Sequence, residues 1–206
     1  MNYSAHGHRL NKRGRETRQV VLATAFRCLA AGGPEAVSAN LIAKEAGVTW
    51  GTIQHQFGDS DGVWAAVFDA TLDTFYEHHV PKVPASASVR RRLSVIVDLL
   101  WVGSDSETTA ALHTLRMALP QDPALLAKEF PATAAALERS SEAWVSLLDD
   151  LFDGLVTSKT KLRRARSLLS PALFGIRLVS KMGTSDEEIE DAKRCLVDSL
   201  VAYLES

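Results

Sequence analysis

Only two cysteines, Cys28 and Cys195, occur in the 206 residues. They lie far apart, match no metal-ligand spacing and are flanked by helix-forming apolar residues. They read as small buried hydrophobes, and no dependence on a disulfide is expected. No apolar run approaches the ~20 residues needed to span a bilayer. The stretch from Met1 to Arg18 is polar and basic, without the apolar core of a secretion signal, so a cytoplasmic protein is expected. Runs of strictly alternating β-branched residues are missing, which leaves little room for strands. The catalytic signatures are missing as well. There is no glycine-rich phosphate loop, no nucleophile elbow and no His-Glu-x-x-His spacing. The nearest approaches to a ligand cluster are His6/His8 and His78-His79, and adjacent histidines on a helix point about 100° apart, a poor chelating geometry. No enzyme, no metal and no cofactor is expected.

What remains is an ordinary soluble composition, 46% hydrophobic and 23% charged, with apolar residues recurring at three- and four-residue steps. The fold expected is all-α. The small net charge of −2 conceals an asymmetry: residues 1–58 hold seven Lys/Arg against three Asp/Glu, residues 59–206 sixteen against twenty-two. The basic excess is densest in Arg9, Lys12, Arg13, Arg15 and Arg18. A basic end on an acidic body suits a protein that meets a polyanion at one end only.

Periodicity and punctuation predict a first helix from Arg15 to Ala31, closed by Gly32-Gly33-Pro34. Ser38 then caps a short helix over Ala39–Ala46, Gly47-Val48 makes a tight turn, and Thr49 caps a third helix from Trp50 to about Gln56. A fourth starts near Asp59 or Ser60 and ends before Pro81, and 81–88 reads as a linker. Longer helices follow over 89–103, 107–119, 122–153 (kinked or divided at Pro131), 159–182 and 186–205. The division expected is a flexible basic arm (1–14), a DNA-binding unit (15–80) and a helical effector-binding and dimerisation unit (81–206).

Two short helices joined by a glycine turn describe a helix-turn-helix. Ala43 permits close approach, Val48 plugs the angle, and Ile42, Ile53 and Phe57 supply a small core. Thr49, Trp50, Thr52, Gln54, His55 and Gln56 are then left to face outward, an exposed polar helix suited to the major groove. The run "IAKEAGVTWGTIQHQF", Ile42 to Phe57, resembles the signature of the TetR family: Ile-Ala, Ala-Gly-Val, Gly-Thr and a closing Phe at fixed spacing. The resemblance covers about residues 17–70; beyond them only length and helical character agree. It implies a regulator, in the first instance a ligand-released repressor, reading a pseudo-palindromic operator as a homodimer. Three positions depart from the pattern. Gln54 stands where the family usually has tyrosine, Gln56 where it has histidine, and Ser60, within Gly58-Asp59-Ser60-Asp61, where it has a phosphate-holding lysine. Arg13, Arg15 and Arg18 are therefore expected to take over part of the phosphate clamp.

Within the reading helix the roles divide by chemistry. Ser38 and Thr49, at helix N-termini, suit phosphates. Gln54 and His55 suit base edges, and Thr52 a thymine methyl. Trp50 suits either contact with sugar and methyl groups or bracing of the domain, and His55 either a base contact or a surface position without a role. A rival reading, a helical binding module whose helix-turn-helix no longer meets DNA, would show itself by loss of all binding at low salt.

The last two helices are apolar over so wide an arc that they need burial on two sides, and a two-fold four-helix interface is what the resemblance implies. A largely apolar effector is expected among residues 89–182, with Trp101, His113, Met117, Trp144, Phe174 and Arg177 as lining candidates. Arg116 and Arg177 each interrupt an apolar helix, as a counter-charge to an anionic group or as a surface residue with a buried stem.

Overall fold

The computed structural model describes the chain except residues 1–2, 6, 33–34, 79–83, 85, 105–106, 153–157 and 181, and describes 72–78 and 102–104 by backbone alone. Ten helices occur among the described residues: α1 (Lys12–Ala31), α2 (Ala39–Glu45), α3 (Trp50–Phe57), α4 (Ser60–His78), α5 (Val89–Ser104), α6 (Glu107–Ala118), α7 (Pro123–Glu129), α8 (Pro131–Phe152), α9 (Lys159–Ser180) and α10 (Asp186–Glu205). The all-α expectation holds. Pro131 divides rather than kinks its stretch, taking the first position of α8, where its missing N–H costs nothing.

Local chemistry accounts for most helix starts. The N–H groups of Leu41, Thr52 and Leu125 donate to the side-chain oxygens of Ser38, Thr49 and Asp122 at 3.2, 3.2 and 2.7 Å, each satisfying a donor that has no partner within its helix. Ser185 and Glu188 complete a reciprocal capping box at α10. The first helix starts three residues earlier than expected, at Lys12, because Asn11 Oδ1 accepts from Gly14 N–H at 2.8 Å.

The helices gather into two compact units. The first comprises residues 1–76 with 106–143, the second 77–105 with 144–206. In the first, Val21, Ala25 and Leu29 of α1 meet Ile42 of α2, Ile53 and Phe57 of α3, and Val63, Trp64 and Val67 of α4 in one buried cluster. Ala111 and Leu115 of α6, Leu126 of α7 and Ala136 of α8 join the same cluster. Each fully buried large apolar side chain contributes roughly 1.5–3 kcal/mol relative to exposure, so this core holds the short α2 and α3, too short to persist alone.

The N-terminus of α8 is held in an unusual way. Phe130, in the capping position, has no side-chain acceptor. The carboxylate of Asp61 on α4 serves instead, accepting from the N–H groups of Ala132 and Thr133, both at 2.8 Å. Thr133 Oγ1 donates back to the Asp61 carbonyl at 3.2 Å. Further along the helix, Arg139 of α8 clasps both carboxylate oxygens of Asp69 on α4.

In the second unit, Leu93, Ile96, Val97 and Leu100 of α5 are buried, as are Leu147, Leu148 and Leu151 of α8. So are Ala165, Leu169 and Leu173 of α9 and Val197, Leu200 and Leu204 of α10. Trp101 is flanked by two cations, Arg177 at 3.8 Å and Lys193 at 5.1 Å from its ring centroid. The reading of both cysteines as buried is corrected here. Cys28 is half-buried and Cys195 is exposed, because α10 turns Val197, Leu200 and Leu204 inward and Cys195 lies outside that stripe.

Candidate nucleic-acid interface

The turn between α2 and α3 follows from one residue. Gly47 has φ +66, a conformation that a Cβ disfavours, and Val48 N–H donates to Ala43 O at 3.0 Å, so the chain reverses at once. Ile42 and Ile53 are fully buried across this angle and Ala43 nearly so. With Ile53 and Phe57 turned inward, the helical period sends Trp50, Gln54 and His55 outward, and all three are exposed. The hydroxyls of Thr49 and Thr52 are joined at 3.0 Å across the first turn of α3. Ser38, at the start of α2, is half-buried.

The structure corrects the expectation that Gln56 faces outward. It is 4% exposed, with Nε2 donating to Gly14 O at 3.2 Å, 42 positions away. The position lies on the inward side of α3 next to Phe57, and the polar side chain is accommodated because the start of α1 presents a carbonyl oxygen there.

The three arginines of the basic segment differ sharply. Arg13 is exposed. Arg15 is half-buried and donates to Leu10 O at 2.8 Å. Arg18 is buried, donates to Gln56 O at 2.6 Å and lies 4.2 Å over the Phe57 ring. Burial lowers its pKa, and the nearby Asp69 carboxylate opposes that shift. The guanidinium of Arg18 thus ties α1 to the C-terminal turn of α3.

The N-terminal segment, expected to be flexible, is folded against α3. Tyr3 and Arg9 form an antiparallel bridge. Ser4 N–H donates to His8 O at 2.8 Å, and Gly7, at φ +74, makes the reversal. Ala5 N–H donates to His55 O at 3.3 Å, and Leu10 is 6% exposed. The sequence held one signal for part of this, the N-cap residue Asn11. It held none for the long-range bond to His55.

Between this turn and the reading helix runs a groove of about 530 Å³ lined by His8, Arg9, Leu10, Asn11, Arg13, Gly14, Thr17, Gly47, Val48, Thr49, Thr52, His55 and Gln56. No carboxylate lines it among the described residues. Of the two acids flanking Ser60, Asp61 is spent on α8, while Asp59 accepts from Gly62 N–H at 2.9 Å and stays exposed.

The six effector candidates are distributed over both units. His113 and Met117 lie on α6 in the first, and Met117 is 63% exposed. Trp101, Trp144, Phe174 and Arg177 belong to the second. There Arg177 donates to Trp101 O at 2.9 Å while stacking on its ring, and Phe174 is 49% exposed. Arg116 donates to Pro120 O at 3.1 Å. Among the described residues no group of three or more His, Cys, Asp or Glu could hold a metal. His6 and His79, and the side chain of His78, lie outside the described residues. No helix is long and apolar enough to cross a membrane among those described.

Residues 21–67 match the family described as bacterial regulatory proteins, tetR family. No curated protein sequence matches the chain. Among solved structures, a transcriptional regulator from Rhodococcus sp. Rha1 is similar with a TM-score of 0.67 and 21% identity, over 89% of this chain and 95% of that one. A TetR-family transcriptional regulator from Streptomyces coelicolor has a TM-score of 0.60 at 20% identity, over 92% of this chain and 80% of that one. The multidrug binding protein EbrR, solved with imidazole, has a TM-score of 0.58 at 19% identity, over 92% of this chain and 93% of that one. At these identities the likeness concerns the fold.

Proposed function

We infer, for a chain that belongs to the TetR family by its residues 21–67, that it is a ligand-released repressor binding a pseudo-palindromic operator as a homodimer. The observation that carries the reading is α3 itself, an eight-residue helix with Ile53 and Phe57 buried and Trp50, Gln54 and His55 exposed. Packing alone does not require such a helix. It presents hydrogen-bonding side chains at the spacing that reads base edges. Thr52 suits a thymine methyl, Thr49 and Ser38 suit phosphates at their helix N-termini, and of the basic segment Arg13 is placed to meet a phosphate. Arg15 and Arg18, expected in the same role, are better assigned to holding α1, Leu10 and α3 together.

A dimer is supported by α9, which leaves Leu168, Phe174, Leu178 and Val179 exposed on a helix whose other side, Ala165, Leu169 and Leu173, is buried. An exposed apolar stripe of that length marks a protein surface awaiting a partner, and a two-fold pair would set two reading helices roughly 34–36 Å apart, one helical turn of DNA. The effector proposed is a small, largely apolar molecule bound within the second unit, with Trp101, Trp144, Phe174 and Arg177 as candidates. Binding would act by favouring one of two states of the reading heads. The location proposed is the cytoplasm.

The test is binding of the purified protein to fragments of its own upstream DNA with salt varied. Competitor-resistant binding to one palindromic fragment is the expected result, and that fragment then screens for effectors that release it. Weak binding, equal for all fragments and abolished at moderate salt, would overturn the specific reading.

A further inference from the structure

We propose that the groove between the N-terminal turn and α3 seats a length of the sugar–phosphate backbone of DNA, and that Arg9 binds a phosphate there. The proposal rests on the DNA-binding reading and extends it to a segment outside the helix-turn-helix. One wall of the groove carries Arg9 and Arg13, both exposed and neither in an ion pair among the described residues. Thr49 and Thr52 of the reading helix line the same groove. With no carboxylate in the lining among the described residues, nothing in the groove opposes an anion. Arg is the cation best matched to phosphate, through its planar fork of donors.

The wall carrying Arg9 is built rather than loose. The bridge from Tyr3 to Arg9, the positive-φ reversal at Gly7 and the bond from Ala5 N–H to His55 O fix it against the reading helix. The geometry therefore makes the turn a positioning element that aims Arg9 across the groove.

The groove also holds a second, independent sign of a ligand. Gln56, 4% exposed, lines it with Nε2 bonded to Gly14 O and with Oε1 lacking any hydrogen-bond partner among the described residues. A buried amide oxygen in that state favours a group with a hydrogen to give, which a hydrated backbone brings as bridging water.

The experiment is the salt dependence of binding to a mixed-sequence DNA duplex between about 50 and 200 mM salt, with the full chain. Removing the side chain that neutralises one phosphate lowers the log–log slope by about 0.9 and reduces the fall in affinity across that range about 3.5-fold. Arg9→Ala is expected to lower the slope by that single step, and Arg9→Lys to keep it. Gly7→Val, which strains the turn yet leaves Arg9 in the chain, is expected to lower the slope as Arg9→Ala does. Circular dichroism should be unchanged for all three, since both positions are exposed. Duplex binding with an unaltered slope in Arg9→Ala and Gly7→Val would overturn the proposal and leave the DNA-binding reading standing. Tighter binding after removal of residues 2–8 would also overturn it, making the turn a cover over α3. A wild-type chain that binds no duplex even at low salt would overturn both.

Discussion

Asp61→Ala should destabilise the protein more than any other single carboxylate removal among the described residues. Asp61 is 9% exposed and supplies both acceptors for the first N–H donors of α8. Pro131 has no N–H and Phe130 no acceptor, so no local group can take its place. Loss of a helix cap costs about 0.5–2 kcal/mol. Thr133 is fully buried, so its N–H would be left without a partner and without water, a further ~1–3 kcal/mol. Together these give about 1.5–5 kcal/mol. At roughly 2–4 °C per kcal/mol for a chain of this size, Tm should fall by roughly 3–20 °C. Asp61→Asn should cost about half as much, since its carbonyl oxygen still accepts one bond while its amide hydrogens face the other N–H. Asp59→Ala, which removes an exposed cap on Gly62, is the control and should cost about 1 kcal/mol or less. Thermal unfolding of the three variants, with hydrogen exchange at the Thr133 amide, decides the matter. If Asp61→Ala unfolds no earlier than Asp59→Ala, the account of α8 is wrong.

Gly62→Ala should disrupt the first unit by more than about 3 kcal/mol in urea unfolding, because the new Cβ would overlap the Phe57 carbonyl oxygen and lie 2.8 Å from its carbon, which is backbone and cannot yield cheaply. Acid should weaken the start of α10. The Glu188 carboxyl is held below its ordinary value of 4.5 by hydrogen bonds from the Ser185 hydroxyl and N–H. A depressed folded pKa gives stability that is present above the unfolded value and lost as pH falls through the folded one. The Tm advantage of the wild type over Glu188→Gln should therefore shrink on acidification below pH 4.5 and be absent if the box does not hold. Leu178→Glu should dissociate the proposed dimer. Two leucine burials forgone, at about 1.5–3 kcal/mol each, raise Kd roughly 10²–10⁴-fold, read by sedimentation, whereas an unchanged mass would exclude α9 from the interface.

Much of the fold is legible in the order of residues alone. Ser38, Thr49, Gly47 and the Ser185–Glu188 box act on groups within a few positions of themselves, so a one-dimensional pattern contains them. The bonds that escape such a reading join distant positions. Gln56 reaches 42 positions to Gly14, Arg18 reaches 38 to Gln56 O, and Asp61 reaches 71 to Ala132. Each turns a side chain inward that local chemistry marks for the surface. The same cause explains why α6 joins the core of α1 although its sequence offers only an apolar stripe. In the candidate site, Trp50, Gln54 and His55 are legible because the buried Ile53 and Phe57 determine what their helix leaves outside. Arg9 is visible in the sequence only as one charge in a basic cluster, since its placement depends on backbone bonds of Ala5 and Gly7.

The folded N-terminus has a practical consequence for anyone preparing this protein. Tyr3 is paired with Arg9 and Ala5 N–H is bonded to His55 O of α3, so a purification tag joined ahead of Met1 would be attached within a few residues of the reading helix's contacts. Cleavage scars of a few residues would sit at the same place. A C-terminal tag, beyond Ser206, instead follows α10 of the second unit. Two preparations of one sequence, differing only in which end carries the tag, should thus be compared before any measured DNA affinity is attributed to the chain itself.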